Sequence, residues 1–167
     1  MEYKIEDNNI TIFDADTFDP ESTLCSGQVF RFGKKDGVWY VISGDKIAKI
    51  STMGPKSYKI VTNDAKYFVK YFDFETNYDK IITRLSEHKT NAPALSYGKG
   101  VRLMHQPLIE TIVGFIISAN NNIPRIQKSL EQIATNFGKN LGEFYAFPTL
   151  KQPSKITEQD FYSFGCG

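Results

Sequence analysis

The sequence predicts an α+β fold, in which an antiparallel sheet with helices is followed by a mostly helical portion. Two observations support this prediction. Short runs rich in Val, Ile, Tyr and Phe alternate with turns between residues 10 and 62, and apolar residues recur at helical spacing after residue 63. The composition is typical of a folded chain, because 41% of the 167 residues are hydrophobic and 23% are charged.

Five strands are predicted in the first part of the chain, separated by turn residues. Ser43-Gly44-Asp45 and Met53-Gly54-Pro55 supply the glycine and proline that tight turns need. A short helix is predicted at Pro20, since proline suits a first helical turn, before a turn at Ser26-Gly27-Gln28. Strands joined by short turns pair antiparallel, so we expect a meandering sheet. The predicted strands are Ile10–Phe13, Val29–Phe32, Val38–Ile42, Lys46–Ser51 and Ser57–Val61.

Helical spacing begins after Asn63, a candidate helix cap. Short helices are predicted over Ala65–Tyr71 and Tyr78–Glu87. Residues 88–100 mix Lys, Asn, Pro and Gly, a composition typical of a loop between domains. The sequence therefore predicts a sheet domain over residues 1–100 and the start of a helical domain over residues 101–167.

Two longer helices are predicted in the second part. Leu108–Ser118 is apolar nearly all round, which predicts a helix buried in a core. The next helix has one apolar stripe and ends at Gly138. The stripe residues follow one another at spacings of four, three and four, namely Ile126, Leu130, Ile133 and Phe137.

The last predicted element is a short helix that opens with a capping box at Thr157-Glu158-Gln159-Asp160 and ends at Gly165. Because nothing follows for this helix to pack against, we expect the chain to be part of a longer protein. Leu108–Ser118, deprived of partners, is then expected to favour self-association.

Residue content excludes several functional classes. The distant pair Cys25 and Cys166 favours a reducing compartment over a disulfide. His88 and His105 are the two histidines, and no closely spaced His, Cys and carboxylate set occurs, so neither a metal nor a cofactor is predicted. No signal or transit peptide pattern is visible, and the longest apolar stretch, Ile112–Ile117, is too short for a membrane span.

Charge is distributed unevenly along the chain although the net charge is only +1. Residues 1–88 contain twelve basic and fourteen acidic side chains, whereas residues 89–140 contain six basic and two acidic ones. A basic middle segment suits contact with nucleic acid. A solvated helix face gives the same count, so charge alone leaves both interpretations open.

Three consecutive asparagines, Asn120, Asn121 and Asn122, lie between two apolar helices and precede Pro124 and Arg125. One interpretation is a tight helix–turn–helix, because Asn tolerates left-handed backbone and caps helices, and Pro suits the first helical turn. The other is a DNA-reading element, because Asn amides and an Arg guanidinium at a helix start can hydrogen-bond to base edges.

The asparagines and Arg125 belong to a series of segments with a distinctive order and spacing. The others are Ser26-Gly27-Gln28, Phe30-Arg31-Phe32, Gly100-Val101-Arg102-Leu103, Ile109-Glu110, Phe115-Ile116, Phe137-Gly138, Tyr145-Ala146-Phe147-Pro148 and Gly165-Cys166-Gly167. From about residue 22 onwards the chain resembles the 8-oxoguanine DNA glycosylases, which are helix-hairpin-helix enzymes. The Asn triplet with Arg125 is the most specific element of this resemblance.

The resemblance implies a TBP-like amino-terminal domain followed by the first helices of the glycosylase domain. It implies base-excision repair of 8-oxoguanine opposite cytosine in double-stranded DNA, with AP lyase activity in the intact enzyme. The expected location is the cytoplasm, at the nucleoid in a bacterium, or the nucleus in a eukaryote. By position, Asn120, Asn121, Asn122 and Arg125 would bind DNA. Asn120 would fill the space left by the flipped base, and Arg125 would donate to the stranded cytosine.

The resemblance also implies a base pocket that includes Gly27, Phe115 and Ser118. The Gly27 carbonyl would accept the N7–H of 8-oxoguanine, a hydrogen that guanine lacks, and the mismatch with guanine would cost about 1 to 3 kcal/mol. Without the family, Gly27 is an ordinary turn glycine, and packing on a buried helix explains Phe115 equally well.

Two departures from the family limit these expectations. Gln106-Pro107-Leu108 stands where the family usually has Gln-Asp-Pro, so an acidic residue is missing. The family's nucleophilic lysine and catalytic aspartate lie beyond the position matching Gly167, so no catalytic residue is assigned and the chain alone is expected neither to excise nor to nick. The alternative function is a non-catalytic DNA- or protein-binding module. A glycosylase for alkylated purines fits the Asn triplet less well. No oligomer is predicted.

Overall fold

The computed structural model describes residues 1–149 together with Thr157, Gln159 and Tyr162. Most of the predicted helix over Thr157–Gly165 and the matching segment at Gly165 lie outside these residues. The described elements are β1 Glu2–Glu6, β2 Asn9–Phe13, α1 Pro20–Leu24, β3 Phe32–Lys35, β4 Val38–Ser43, β5 Lys46–Gly54, β6 Ser57–Thr62, α2 Ala65–Tyr71, α3 Tyr78–Ser86, α4 Ala92–Tyr97, α5 Leu108–Ser118 and α6 Ile123–Phe137.

The six strands form one antiparallel sheet, which confirms the predicted α+β class. The strand order is β1-β2-β6-β5-β4-β3. Ile60 on β6 is opposite both Ile10 on β2 and Ile50 on β5, and all three are almost fully buried. This row of isoleucines fixes the register, because a slip of one residue would turn every one of them to the opposite face.

Two strand predictions differ from the structure. Strand β1 was not predicted, because Tyr3 is the one partly buried residue among five and the alternating pattern is therefore weak. The predicted strand over Val29–Phe32 is wrong, since β3 begins at Phe32 and the preceding residues form a bend. Val29, Phe30 and Arg31 are nevertheless buried. Burial explains this apolar run without strand pairing.

The loop predicted over residues 88–100 is also wrong. A 3-10 turn over Lys89–Asn91 leads into α4, which has Pro93 in its first turn. The Pro and Gly that suggested a loop therefore stand at the ends of a short helix, where both residues are tolerated. None of the residues in α3, the 3-10 turn or α4 is buried.

Contacts divide the chain into two compact units. The amino-terminal unit comprises residues 1–28, 34–40 and 48–105. Its core contains Phe18, Phe72 and Phe74, whose ring centroids lie 5.0 to 5.6 Å apart. The Arg102 side chain is buried beside them, with its guanidinium carbon 4.2 Å from the centroid of the Tyr78 ring. Burial lowers the pKa of Arg102 from its ordinary value.

The helical unit comprises residues 29–33, 41–47 and the chain from Gln106 onwards. The apolar stripe predicted on α6 is confirmed, because Ile126, Leu130 and Ile133 are buried in the core of this unit and Phe137 packs against that core. The buried members of this core are Phe30, Ile117, Ile126, Leu130, Ile133, Ala134 and Phe147. The domain boundary expected at residue 100 stays a prediction.

The apolar composition of helix α5 predicts a buried helix, but most of its residues are not buried. Among its residues only Gly114 and Ile117 are buried, whereas Leu108 and Ile116 are each 70% exposed. The described residues cover one side of α5, so its remaining apolar side chains face outward. Apolar residues on all faces favour burial of a helix, but burial also requires neighbouring residues that cover each face.

Candidate functional site

The connection between α5 and α6 is a short turn whose backbone is held by an asparagine side chain. Asn120 has φ 53°, in the left-handed region that Asn adopts more readily than most residues. Asn121 Nδ2 donates to the Ile117 carbonyl at 3.2 Å, and Asn121 Oδ1 accepts from the Asn122 backbone N–H at 2.9 Å. The Asn121 amide is therefore used inside the turn, while Asn120 is exposed.

Asn122 is the N-cap of α6. Its Oδ1 accepts from the Arg125 backbone N–H at 3.1 Å, and its carbonyl accepts from the Ile126 N–H at 3.0 Å. Pro124, in the first turn, has no N–H to satisfy. These contacts agree with the tight-turn interpretation. They also leave the Arg125 side chain exposed at the start of a 15-residue helix.

The four residues predicted to bind DNA lie within residues 119–125, which comprise the connection and the first residues of α6 and which we call the α5–α6 turn. They differ in their local roles. Asn121 and Asn122 use side-chain oxygens to build the turn. Asn120 and Arg125 present exposed side chains from the same turn. An amide and a guanidinium fork together supply the donors that hydrogen-bond to base edges.

Gly27 lies in the amino-terminal unit, after α1. Its φ is 83°, a conformation that favours glycine, and a Cβ built there would meet nothing within 4 Å. The neighbouring Gln28 side chain anchors this turn, because its Nε2 donates to Ser26 Oγ at 2.8 Å and to the Arg102 carbonyl at 2.9 Å. Gln28 Oε1 also accepts from the Met104 N–H at 3.0 Å. The turn is therefore rigidly placed within its unit and open at Gly27.

Phe115 and Ser118 lie on α5 in the helical unit. The Phe115 ring is 53% exposed and meets Phe30 edge-on at a centroid distance of 6.1 Å. Burial in a core therefore does not account for Phe115. Ser118 is half-buried, and its Oγ donates to the Phe115 carbonyl at 2.7 Å.

A buried arginine cluster in the helical unit was not predicted. Arg31 Nη2 donates to the Tyr145 carbonyl at 2.7 Å and to Glu131 Oε2 at 3.2 Å, and its Nη1 lies 3.7 Å from Glu110 Oε1. The second Glu110 oxygen accepts from the Gly44 N–H at 2.8 Å. We call Arg31, Glu110 and Glu131 the Arg31 cluster. The signal for it was already in the sequence, because Arg31 and Glu110 both stand in family-matching segments.

Glu110 has an unusual environment for a carboxyl group. Burial raises its pKa above the ordinary value, and this effect outweighs the opposing attraction of Arg31 and the hydrogen bond from Gly44. The charged form of Glu110 is therefore less favourable in the folded chain than in the unfolded chain.

No group of three or more His, Cys, Asp or Glu able to hold a metal ion occurs among the described residues. In the same part of the chain, no helix combines the length and apolarity that a membrane crossing requires.

Comparison with known proteins gives consistent matches. The family model for the 8-oxoguanine DNA glycosylase N-terminal domain matches residues 10–112. The N-glycosylase/DNA lyase OGG1 of Arabidopsis thaliana is 35% identical over 74 residues, which make up 41% of this chain and 20% of the plant protein. The N-glycosylase/DNA lyase of Saccharomyces cerevisiae is 28% identical over 107 residues, covering 60% of this chain and 28% of the yeast protein. The chain thus spans less than a third of these curated relatives.

The fold matches a solved structure of a similar protein. The Clostridium acetobutylicum 8-oxoguanine glycosylase/lyase, in complex with double-stranded DNA containing cytosine opposite 8-oxoG, superposes with a TM-score of 0.89 at 27% identity. The superposition covers 100% of this chain and 60% of that one. Because the family model covers more than half of the 167 residues, the chain belongs to the 8-oxoguanine DNA glycosylase family and contains its N-terminal domain.

Proposed function

We propose that this chain supplies the opposite-base reader and part of the lesion pocket of a glycosylase that removes 8-oxoguanine opposite cytosine from double-stranded DNA. The observation that supports this most is the α5–α6 turn, in which Asn121 and Asn122 fix the backbone while Asn120 and Arg125 stay exposed. The DNA held by the Clostridium acetobutylicum structure, with cytosine opposite 8-oxoG, supports the same assignment.

DNA reading by the turn follows from the chemistry of its side chains. The damaged base leaves the stack, because its glycosidic bond is inaccessible inside the duplex. Asn120 enters the vacated space and satisfies polar groups there with its amide. Arg125 donates from two guanidinium nitrogens to two acceptors of the stranded cytosine, a pairing that adenine does not offer. Asn121 and Asn122 contribute to DNA binding mainly by holding the turn.

Lesion discrimination belongs to Gly27, Phe115 and Ser118 in this proposal. The Gly27 carbonyl accepts the N7–H of 8-oxoguanine and faces a lone pair on guanine, a mismatch of about 1 to 3 kcal/mol when buried. The exposed Phe115 ring offers an apolar face for stacking on the flipped base. Ser118, about one helical turn from Phe115 on α5, is assigned to lesion recognition together with it.

The covalent chemistry is assigned to the whole enzyme and to no residue of this chain. A lysine amine attacks the sugar C1′, expels the base and forms a Schiff base that leads to strand nicking. We expect the 167-residue chain neither to excise 8-oxoguanine nor to nick an abasic strand. Strand cleavage of an 8-oxoguanine·cytosine duplex by the purified chain would contradict this expectation. A protein acting on chromosomal DNA would work at the nucleoid or in the nucleus.

The experiment that tests the proposal is a binding comparison. The chain is titrated by fluorescence anisotropy with duplexes carrying an abasic analogue opposite cytosine or opposite adenine. We expect tighter binding opposite cytosine, and Arg125→Ala should erase the preference. Lys128→Ala is the matched control, because Lys128 is also exposed on α6, and its loss should weaken both duplexes equally. Equal binding by the unmodified chain would instead favour a non-catalytic DNA- or protein-binding module with this fold.

A further inference from the structure

Arg31 contacts both helices that flank the proposed DNA-reading turn. Glu110 lies in the first turn of α5, and Glu131 lies in the middle of α6. A single guanidinium whose side chain is 2% exposed reaches both carboxylates and the Tyr145 carbonyl. The link is distant from the turn itself, since Glu131 is six residues, or about 9 Å, along the helix from Arg125.

The residues on either side of Arg31 make the same connection. The Phe30 ring belongs to the buried core of the helical unit and contacts Phe115 on α5. It also lies so close to Gly114 that a Cβ there would stand 3.2 Å from a ring carbon. Gln127 on α6 donates from Nε2 to the Phe32 carbonyl at 3.1 Å. The segment Phe30–Phe32 therefore bonds to or packs on both helices.

The Arg31 cluster is poorly arranged for stability alone. Nη1 of Arg31 is 3.7 Å from Glu110, and neither Nε nor Nη1 has a hydrogen-bond partner among the described residues. Buried charges are costly to remove from water, and well-packed apolar groups often replace a buried ion pair without loss of stability. Such a pair does, however, define one relative position of the elements that it joins.

We infer that Arg31 is a positioning residue for opposite-base reading, which holds α5 and α6 in the arrangement that places Asn120 and Arg125 against the DNA. This inference rests on the proposed function. Arg31 acts through the two helices and does not itself touch DNA. Its Nη2 donates to Glu131 and to the Tyr145 carbonyl while its Nη1 stays within 3.7 Å of Glu110, and a lysine ammonium, a single point charge on a flexible stem, does not reproduce this arrangement.

The main test is Arg31→Lys in the 167-residue chain, with the ratio of dissociation constants for abasic duplexes opposite adenine and opposite cytosine as the readout. We expect this ratio to fall about 2-fold or more, towards the value of about 1 that is expected when Arg125 no longer reads the cytosine. Ile133→Val is the control, because Ile133 is buried on α6 outside the Arg31 cluster and its truncation lowers stability without changing the link. The control should keep the ratio.

Glu131 offers a second test that tolerates a poorly folding Arg31 variant, because its side chain is 49% exposed. Glu131→Ala removes the α6 contact of Arg31 and should lower the ratio. Glu131→Gln keeps an acceptor for Nη2 and should restore most of it. If Glu131→Ala and Glu131→Gln both show the same ratio as the unmodified chain, the inference is overturned even if Arg31→Lys does not fold.

Amide hydrogen exchange separates this inference from the proposed function, because it needs no DNA. In Arg31→Lys, we expect faster exchange at the Arg125 and Ile126 amides, which bond to Asn122. Ile133→Val should leave these two amides unchanged relative to the rest of α6. An unmodified chain without any cytosine preference would overturn the proposed function, whereas a cytosine preference that Arg31→Lys retains, with unchanged exchange, would overturn the positioning role alone.

Discussion

At the scale of single residues, three consecutive asparagines have three different roles. Asn120 adopts a left-handed backbone, Asn121 bonds within the turn and Asn122 caps α6. Three identical residues do not reveal this division by themselves, since the roles depend on backbone angles that are set by where α5 ends. A DNA-binding role for the three asparagines stays a prediction, whereas their different contacts in the turn follow from the fold.

Asn122→Ala should destabilise the chain, because the Arg125 N–H loses its side-chain acceptor at the start of α6. The expected loss in the free energy of unfolding is about 0.5 to 2 kcal/mol by urea denaturation. Asn122→Asp keeps the acceptor and should retain stability, while its added negative charge weakens binding to every duplex. Equal stability of Asn122→Ala and the unmodified chain would show that the cap contributes nothing.

Gly27→Ala tests whether the turn after α1 requires glycine through its backbone alone. An alanine at φ 83° should cost about 1 to 2 kcal/mol of unfolding free energy, although its methyl group meets no neighbour. Gly54→Ala is the control, because its Cβ position is equally open and its φ is not positive. If both substitutions prove neutral in denaturant titrations, backbone strain at Gly27 is not what requires glycine.

At the scale of elements, the sequence predicted the helices whose residue pattern depends only on neighbouring residues in the chain. Helix α2 and helix α5 have the predicted bounds, since Asp64 caps the start of α2 and Pro107 directly precedes α5. The segment Val29–Phe32 was misjudged because strand formation depends on distant partners, and the same apolar residues are buried here in a bend. Exposure of α5 also had no local signal, because it depends on which residues pack beside the helix.

Gly138 ends α6 and is required there by close packing. A Cβ at this position would collide with the Ala146 carbonyl oxygen, which is backbone and has little freedom to move. Gly138→Ala should therefore lower the free energy of unfolding by roughly 1 to 3 kcal/mol or more. Denaturation midpoints compared with those of Gly54→Ala measure this, and a midpoint shift no larger than the control's would show that the segment around Ala146 moves away freely.

At the scale of the whole molecule, the free energy of unfolding should include a contribution from Glu110 that falls as pH rises, opposite to the usual effect of a carboxyl group. Burial raises the pKa of Glu110, whereas hydrogen bonds to Lys56 and Lys46 lower the pKa of the exposed Asp16 and Asp45. Between the ordinary Glu value of 4.5 and the raised folded value, the folded chain binds more protons than the unfolded chain. The Glu110 contribution is therefore fully present below that range and is lost as pH rises through it.

Glu110→Gln removes this contribution and allows it to be isolated. The free energy of unfolding of the unmodified chain minus that of the variant should fall as pH rises from about 4 to 7, because only the unmodified chain must then hold a charged, buried Glu110. Urea titrations at several pH values measure the difference. A difference that rises with pH would mean that Arg31 and Gly44 stabilise the carboxylate more than burial penalises it.

The most direct test of the central claim, that the α5–α6 turn reads the base opposite the lesion, is the ratio of the dissociation constants for an abasic analogue opposite adenine and opposite cytosine. An Arg125 fork on cytosine predicts a ratio of about 5 or more in favour of cytosine, reduced to about 1 in Arg125→Ala. The same ratio in Arg125→Ala as in the unmodified chain would contradict the claim, because the preference would then come from elsewhere in the molecule.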